Sequence, residues 1–190
     1  MRPLAPSLFA LALLPAVAAA QAPAQPPVLA VDAARSTLTY NCVHKLHKFA
    51  GVSKQVEGRA RLLDGGKVQV EVKAQVASFD SANANRDAHM KETVEAARCP
   101  TVELKAIGEL AWPATFPATV EKTFKGQLLF HCEKQALDLP VKISFESATT
   151  ARVQAQLSVG LEAFKIERPS LLFVKVDDAM KVDVDLVFKR

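Results

Sequence analysis

Lys67-Val-Gln-Val-Glu-Val-Lys-Ala-Gln-Val76 sets Val68, Val70, Val72, Ala74 and Val76 at alternate positions, with Lys67, Gln69, Glu71, Lys73 and Gln75 between them. Neighbouring side chains of an extended chain point to opposite faces, so this segment has one dry face and one wet face. The pattern predicts a half-buried strand of an antiparallel sheet. Working outward, the same period of two recurs in Ser36–His44, Val56–Leu62, Thr101–Ala106 and Phe124–Phe130, the last with one slip. It returns in Ala136–Phe145, where Leu137, Leu139, Val141, Ile143 and Phe145 stay in phase, then in Arg152–Leu161 and Met180–Phe188. About eight strands are therefore expected, separated by turn signals such as Asp64-Gly-Gly66, the Pro113 and Pro117 pair, and Asp177-Asp178.

One stretch breaks the period. Ser81–Ala97 has few β-branched residues, precedes Cys99-Pro100, and carries Met90, Val94 and Ala97 at helical spacing. It predicts a helix of about three turns, capped by Asn83 or Asn85. A smaller helical or 3₁₀ piece is expected within His44–Ser53. Eight amphipathic strands and one helix allow a sandwich or a closed barrel. The barrel is the preferred reading, because many inward positions are Val, Leu and Ala and closure removes exposed edges.

The ends of the chain read differently. Met1-Arg2-Pro3 followed by the uncharged run Leu8–Val17 and by Ala18-Ala-Ala20 has the form of a secretory signal peptide, 1–20, removed after Ala20. Residues 21–30 are a Pro-rich, extended and flexible lead-in, and 31–190 form one barrel domain. No second apolar run is long enough to span a membrane, so the mature protein is expected to be soluble. With 24 basic and 20 acidic residues, no long run of like charge and no basic stripe interleaved with aromatics, nucleic acid is excluded as a partner. Cys42, Cys99 and Cys132 are an odd number in an oxidising compartment, so one disulfide and one free thiol are permitted. Cys42 and Cys132 share the parity of the inward Tyr40 and Phe130, which makes them the pair to test.

At this point the residues resemble a known family. Ser36-x-Leu-x-Tyr-x-Cys-x-His44, Gly51-Val-Ser53 and Val56-x-Gly58 are similar to the opening of the YceI-like family. The resemblance continues through Val76-Ala-Ser-Phe-Asp-Ser81, Asn85-Arg-Asp-Ala-His-Met90 and Pro100-Thr-Val-Glu-Leu104. It resumes at Gly126–His131, Leu139-Pro-Val141 and Ala163–Ile166. The resemblance implies an extended lipocalin-like antiparallel eight-stranded β-barrel with one covering α-helix. It further implies an elongated pocket that holds a polyisoprenoid chain, in a protein often found in the periplasm. The chain departs from the family at Cys42, where a small hydrophobe is usual, at Cys99, which lies near a usual aromatic, and at Cys132, usually Gly. It also carries Lys45-Leu46-His47 after His44, and Val94-Glu-Ala-Ala97 stands where an aromatic pair is common.

The inward stripes then become the expected ligand-binding set: Leu38, Tyr40, His44, Val70, Val72, Met90, Leu104, Leu128, Phe130, Val141, Ile143, Leu157 and Val184. Apolar walls suit a long hydrocarbon, since each buried methylene contributes about 0.8 kcal/mol. The cargo expected is a polyisoprenoid or a quinone-like lipid, taken up passively without cofactor or catalytic residue, in a periplasmic protein. Dimerisation through an outer face is compatible with the sequence. Arg86-Asp87-x-His89 lacks a nucleophile and reads as structural. Two rival readings remain: a metal- or haem-dependent redox protein using His44, His47 and the cysteines, with His89 or His131 completing a site, and a filled barrel acting through its surface as a stress-related module.

Overall fold

The computed structural model describes residues 27–45, 47–171 and 173–190. The expected signal peptide and most of the lead-in lie outside those residues. Among the described residues twelve strands and one α-helix follow in chain order: β1 (Val28–Val31), β2 (Thr37–His44), β3 (His47–Ser53), β4 (Val56–Leu63), β5 (Lys67–Gln75), α1 (Ala84–Thr93), β6 (Thr101–Glu109), β7 (Ala118–Phe130), β8 (Glu133–Ser147), β9 (Thr150–Gly160), β10 (Ser170–Leu171), β11 (Val174–Lys175) and β12 (Ala179–Lys189). Among the described residues no helix is long and apolar enough to cross a membrane.

The fold is a closed eight-stranded antiparallel β-barrel with a single helix, as the alternation implied. The ring runs β1-β4-β5-β6-β7-β8-β9-β12 and closes where β1 pairs with both β4 and β12. β1 begins at Val28, so the barrel claims the last residues of the stretch read as lead-in. β12 also pairs with β2 along the same edge, Val182 opposite Tyr40 and Val184 opposite Leu38, and β3 adds to β2. The kink that lets β1 and β2 share that edge is fixed by the buried Ser36. Its Oγ donates to the Asp32 carbonyl (2.7 Å) and accepts from the Val187 amide (2.9 Å).

One expectation of secondary structure is corrected. His44–Ser53 is a hairpin, not a helical piece: His44 lies directly opposite His47, and Lys45 in the two-residue turn has a φ of 54°. Such turns usually carry Asn or Gly, and their absence here removes the usual hairpin signal. The expected helix of about three turns lies within Ser81–Ala97. It ends at Thr93, and Val94 onward turns back toward Cys99. Asn83 caps it, its side chain accepting from the Arg86 amide at 3.0 Å.

The barrel interior has two unlike halves. In one, Phe145 is fully buried edge-on to Trp112 (4.7 Å between ring centroids), with Leu29, Leu139, Ile143 and Phe188 packed around them. Phe124 lies flat against β6 in this half, and Gly108 is what admits it: a Cβ there would fall 2.3 Å from the ring. Only a small pocket of about 70 Å³ is left. This half is a packed core of native type.

Candidate functional site

In the other half the inward side chains stop short of one another and enclose a cavity of about 670 Å³. Its walls come from alternate positions of the ring. β2 gives Leu38, Tyr40 and Cys42; β5 gives Val72 and Ala74; β6 gives Val102 and Leu104; β7 gives Leu128 and Phe130; β9 gives Leu157 and Val159; β12 gives Met180 through Leu186 at every second residue. Leu157, Val182 and Val184 face inward yet are only half-buried, because they border space rather than neighbours. Val72, Leu104, Val184 and Leu186 also border the packed half, so the cavity is blind at that end.

The other end reaches the surface. Its lining there is polar and exposed: His47 from β3, Asn85 and His89 from α1, and Ser170 at the start of β10. Met90 and Val94 close the cavity on the helix side. The helix is held to the rim by the block Arg86-Asp87. Arg86 donates from Nε to Ser81 Oγ and from Nη2 to the Ser81 carbonyl, both at 2.9 Å, and its guanidinium lies 5.6 Å from the Phe49 ring centroid. Asp87 accepts from the Ser81 amide at 3.1 Å. A bridge between Val52 and Asp80 ties the same segment to β3. His89 faces Glu92 at 3.7 Å, not Asp87, so Arg86-Asp87-x-His89 acts as a fastening.

Ten of the thirteen expected lining residues border the cavity: Leu38, Tyr40, His44, Val72, Met90, Leu104, Leu128, Phe130, Leu157 and Val184. Val70, Val141 and Ile143 do not. They face inward, but in the packed half around the smaller pocket. Alternation assigns a face and says nothing of depth along the barrel axis. Residues missed by sequence reasoning include Phe49, Val102, Met180 and Val182, of which Val102, Met180 and Val182 carried the right parity and Phe49 lay in the unrecognised strand β3.

Tyr40 crosses the wall over Gly51, where a Cβ would meet its ring at 2.3 Å. Its buried hydroxyl has no hydrogen-bond partner. Burial, with smaller contributions from Cys42 and Asp87, pushes the phenol up to about 12, against Arg86 and Ser81. Burial alone pushes the Cys42 thiol up to about 11 from 9.0. The folded thiol thus holds its proton more tightly than the unfolded one. The stability this gives is complete below pH 9 and lost as pH rises toward 11. Two units correspond to about 3 kcal/mol. Thermal melts from pH 7 to 11 should therefore show a smaller alkaline fall for Cys42→Val than for the wild type, and parallel curves would refute it.

The cysteines pair otherwise than expected. Cys99 and Cys132 form the disulfide, with Cα atoms 5.4 Å apart, and Cys42 is the free, buried thiol. The parity argument failed because Cys132 is not in a strand. His131 and Cys132 are the two turn residues of the β7–β8 hairpin, with φ of 49° and 59°. His131 is buried there, its Nδ1 donating to the Phe164 carbonyl at 2.8 Å, while Nε2 lies 3.7 Å from Glu95. It therefore stands apart from His44 and His47. Among the described residues no three His, Cys, Asp or Glu gather as metal ligands do.

The architecture has solved relatives. A polyisoprenoid binding domain from Saccharophagus degradans, implicated in plant cell wall breakdown, superposes with a TM-score of 0.71 at 16% identity, over 85% of this chain and 97% of that one. Burkholderia cenocepacia BcnA gives 0.66 at 18%, over 83% and 98%. The Campylobacter jejuni YceI protein gives 0.58 at 12%, over 74% and 84%. At these identities the likeness is one of fold. No curated protein sequence matches the chain. The model of the YceI-like domain matches residues 29–188, which is nearly every residue of the barrel just described, and the chain belongs to the YceI-like family.

Proposed function

We propose that this protein is an exported, periplasmic carrier that sequesters a long apolar lipid, a polyisoprenoid or a quinone-like molecule, in the hollow half of its barrel, and that it performs no catalysis. The observation that carries the reading is the cavity of about 670 Å³, walled almost wholly by apolar side chains and blind at one end. That size falls within the roughly 300–1,000 Å³ of small-molecule pockets. A chain entering it exchanges water for Leu, Val, Met and Phe side chains along its length, at about 0.8 kcal/mol per methylene. Recognition is then by length and apolarity, with His44, His47 and His89 left to face a polar end at the rim. The Saccharophagus degradans domain of the same fold is a polyisoprenoid binding domain, which supports the choice of cargo. The amino-terminal sequence Met1–Ala20 supports export.

Protein isolated from its native host without detergent should release, on organic extraction, a stoichiometric species whose mass spectrum shows repeating isoprene units. A preparation that is empty, and that also refuses added polyprenol and ubiquinone, would sink the reading.

A further inference from the structure

Two hairpin turns stand side by side at the open end of the cavity. At the β2–β3 turn stand His44, Lys45, His47 and Lys48, and at the β10–β11 turn Ser170, Phe173, Val174 and Lys175. They are fastened together: His44 Nε2 donates to the Val174 carbonyl and the Asp177 amide to the Val43 carbonyl, each at 2.9 Å. Both turns contribute to the rim, through His44, His47 and Ser170. The cavity therefore opens beside them, between these turns and α1, which supplies Asn85 and His89.

The exposure there is unusual. Phe173 is 104% exposed, against 44% for Val28 and 45% for Ile107, the other exposed large hydrophobics among the described residues. Its φ of 67° is also one that an aromatic residue rarely adopts. Among the described residues nothing packs against this ring. Around it the two turns hold Lys45, Lys48 and Lys175, all exposed, and no carboxylate. Glu167 and Asp177 lie only at the base of the second turn. An apolar tip fringed by lysines is the composition that inserts into the interface of an anionic bilayer, the ring among the acyl chains and the ammonium groups among the phosphates.

We propose that these two turns dock the open end of the barrel onto an anionic lipid bilayer, so that an apolar chain passes between membrane and cavity without crossing water. The passage rests on the carrier reading above; the docking does not. Phe173 touches no neighbour that its replacement would disturb, so its variants isolate the docking step from folding.

The test is cosedimentation of the full mature chain with vesicles of 70% phosphatidylcholine and 30% phosphatidylglycerol, and with vesicles of phosphatidylcholine alone. Binding is expected to the anionic vesicles and to weaken as salt is raised. Phe173→Asp should lower the partition about tenfold, and Lys45→Gln and Lys175→Gln about fivefold each. Ile107→Asp, an equally apolar change on the outer wall of β6, should leave it untouched. Partition that ignores Phe173, or a Phe173-dependent self-association with no vesicle binding, would overturn the proposal in favour of no docking face or of a second copy of this chain. Extraction of the same samples for polyprenol separates the two readings: vesicle binding by a protein that never takes up polyprenol would leave the docking standing and remove the carrier.

Discussion

Leu157→Trp combined with Val182→Trp should give a barrel that folds and no longer retains lipid. The two residues are register partners on β9 and β12, both face the cavity, and both are only half-buried. Two indoles there would project into space that the wild type leaves open, so the usual penalty of overpacking a filled core is largely avoided. The packed half around Phe145 and Trp112 is untouched, which keeps the fold anchored. If the new rings exclude even one isoprene unit of five carbons, binding falls by about 4 kcal/mol, or roughly a thousandfold. Far-ultraviolet circular dichroism would check the barrel, and extraction with mass spectrometry its cargo. A folded double variant that keeps its lipid would show that the cavity is not the binding site.

Breaking the disulfide should be the most damaging change to stability outside the core. Cys99 and Cys132 are 33 residues apart in sequence. Closing a loop of that length restricts the unfolded chain enough to stabilise the fold by about 4 kcal/mol. For a domain of this size that is about 10 °C in melting temperature. The loss has a location too, because the bridge joins the segment that follows α1 to the β7–β8 turn. In Cys99→Ala/Cys132→Ser, amide exchange should quicken first between residues 94 and 100, before the barrel strands. Cys99→Ala/Cys132→Gly should recover up to about 1 kcal/mol, since glycine accepts the positive φ at position 132 without strain. A melting temperature indifferent to reduction would contradict the pairing.

What the sequence disclosed and what it hid follow one physical division. The period of two in Lys67–Val76 and in Ala136–Phe145 announces strands with one dry face, and these strands appear, as the barrel does. Alternation cannot tell how far along the axis a side chain lies. Val70 and Val72 look identical in sequence, yet only Val72 borders the cavity, because Trp112, Phe124 and Phe145 fill the barrel at the depth of Val70. The turns are equally silent where their chemistry is unusual. Lys45 and Cys132 take positive φ without being Gly or Asn, so the hairpin at His44–His47 was read as helical and Cys132 as a strand residue. Tertiary fastening explains both: His44 is bonded to Val174, and Cys132 to Cys99.

The blind end of the cavity has a consequence for selectivity. Val72, Leu104, Val184 and Leu186, backed by the rings of Trp112, Phe124, Phe145 and Phe188, form a floor at a fixed depth, and the polar rim lies opposite it. A lipid can enter such a well only tail first, and it stops where the floor begins. Tails shorter than the well leave part of the wall uncovered, and longer ones keep their head groups standing clear of the rim. For a carrier of the kind proposed the barrel is a depth gauge, and Gly108, which lets the Phe124 ring lie flat, sets its zero.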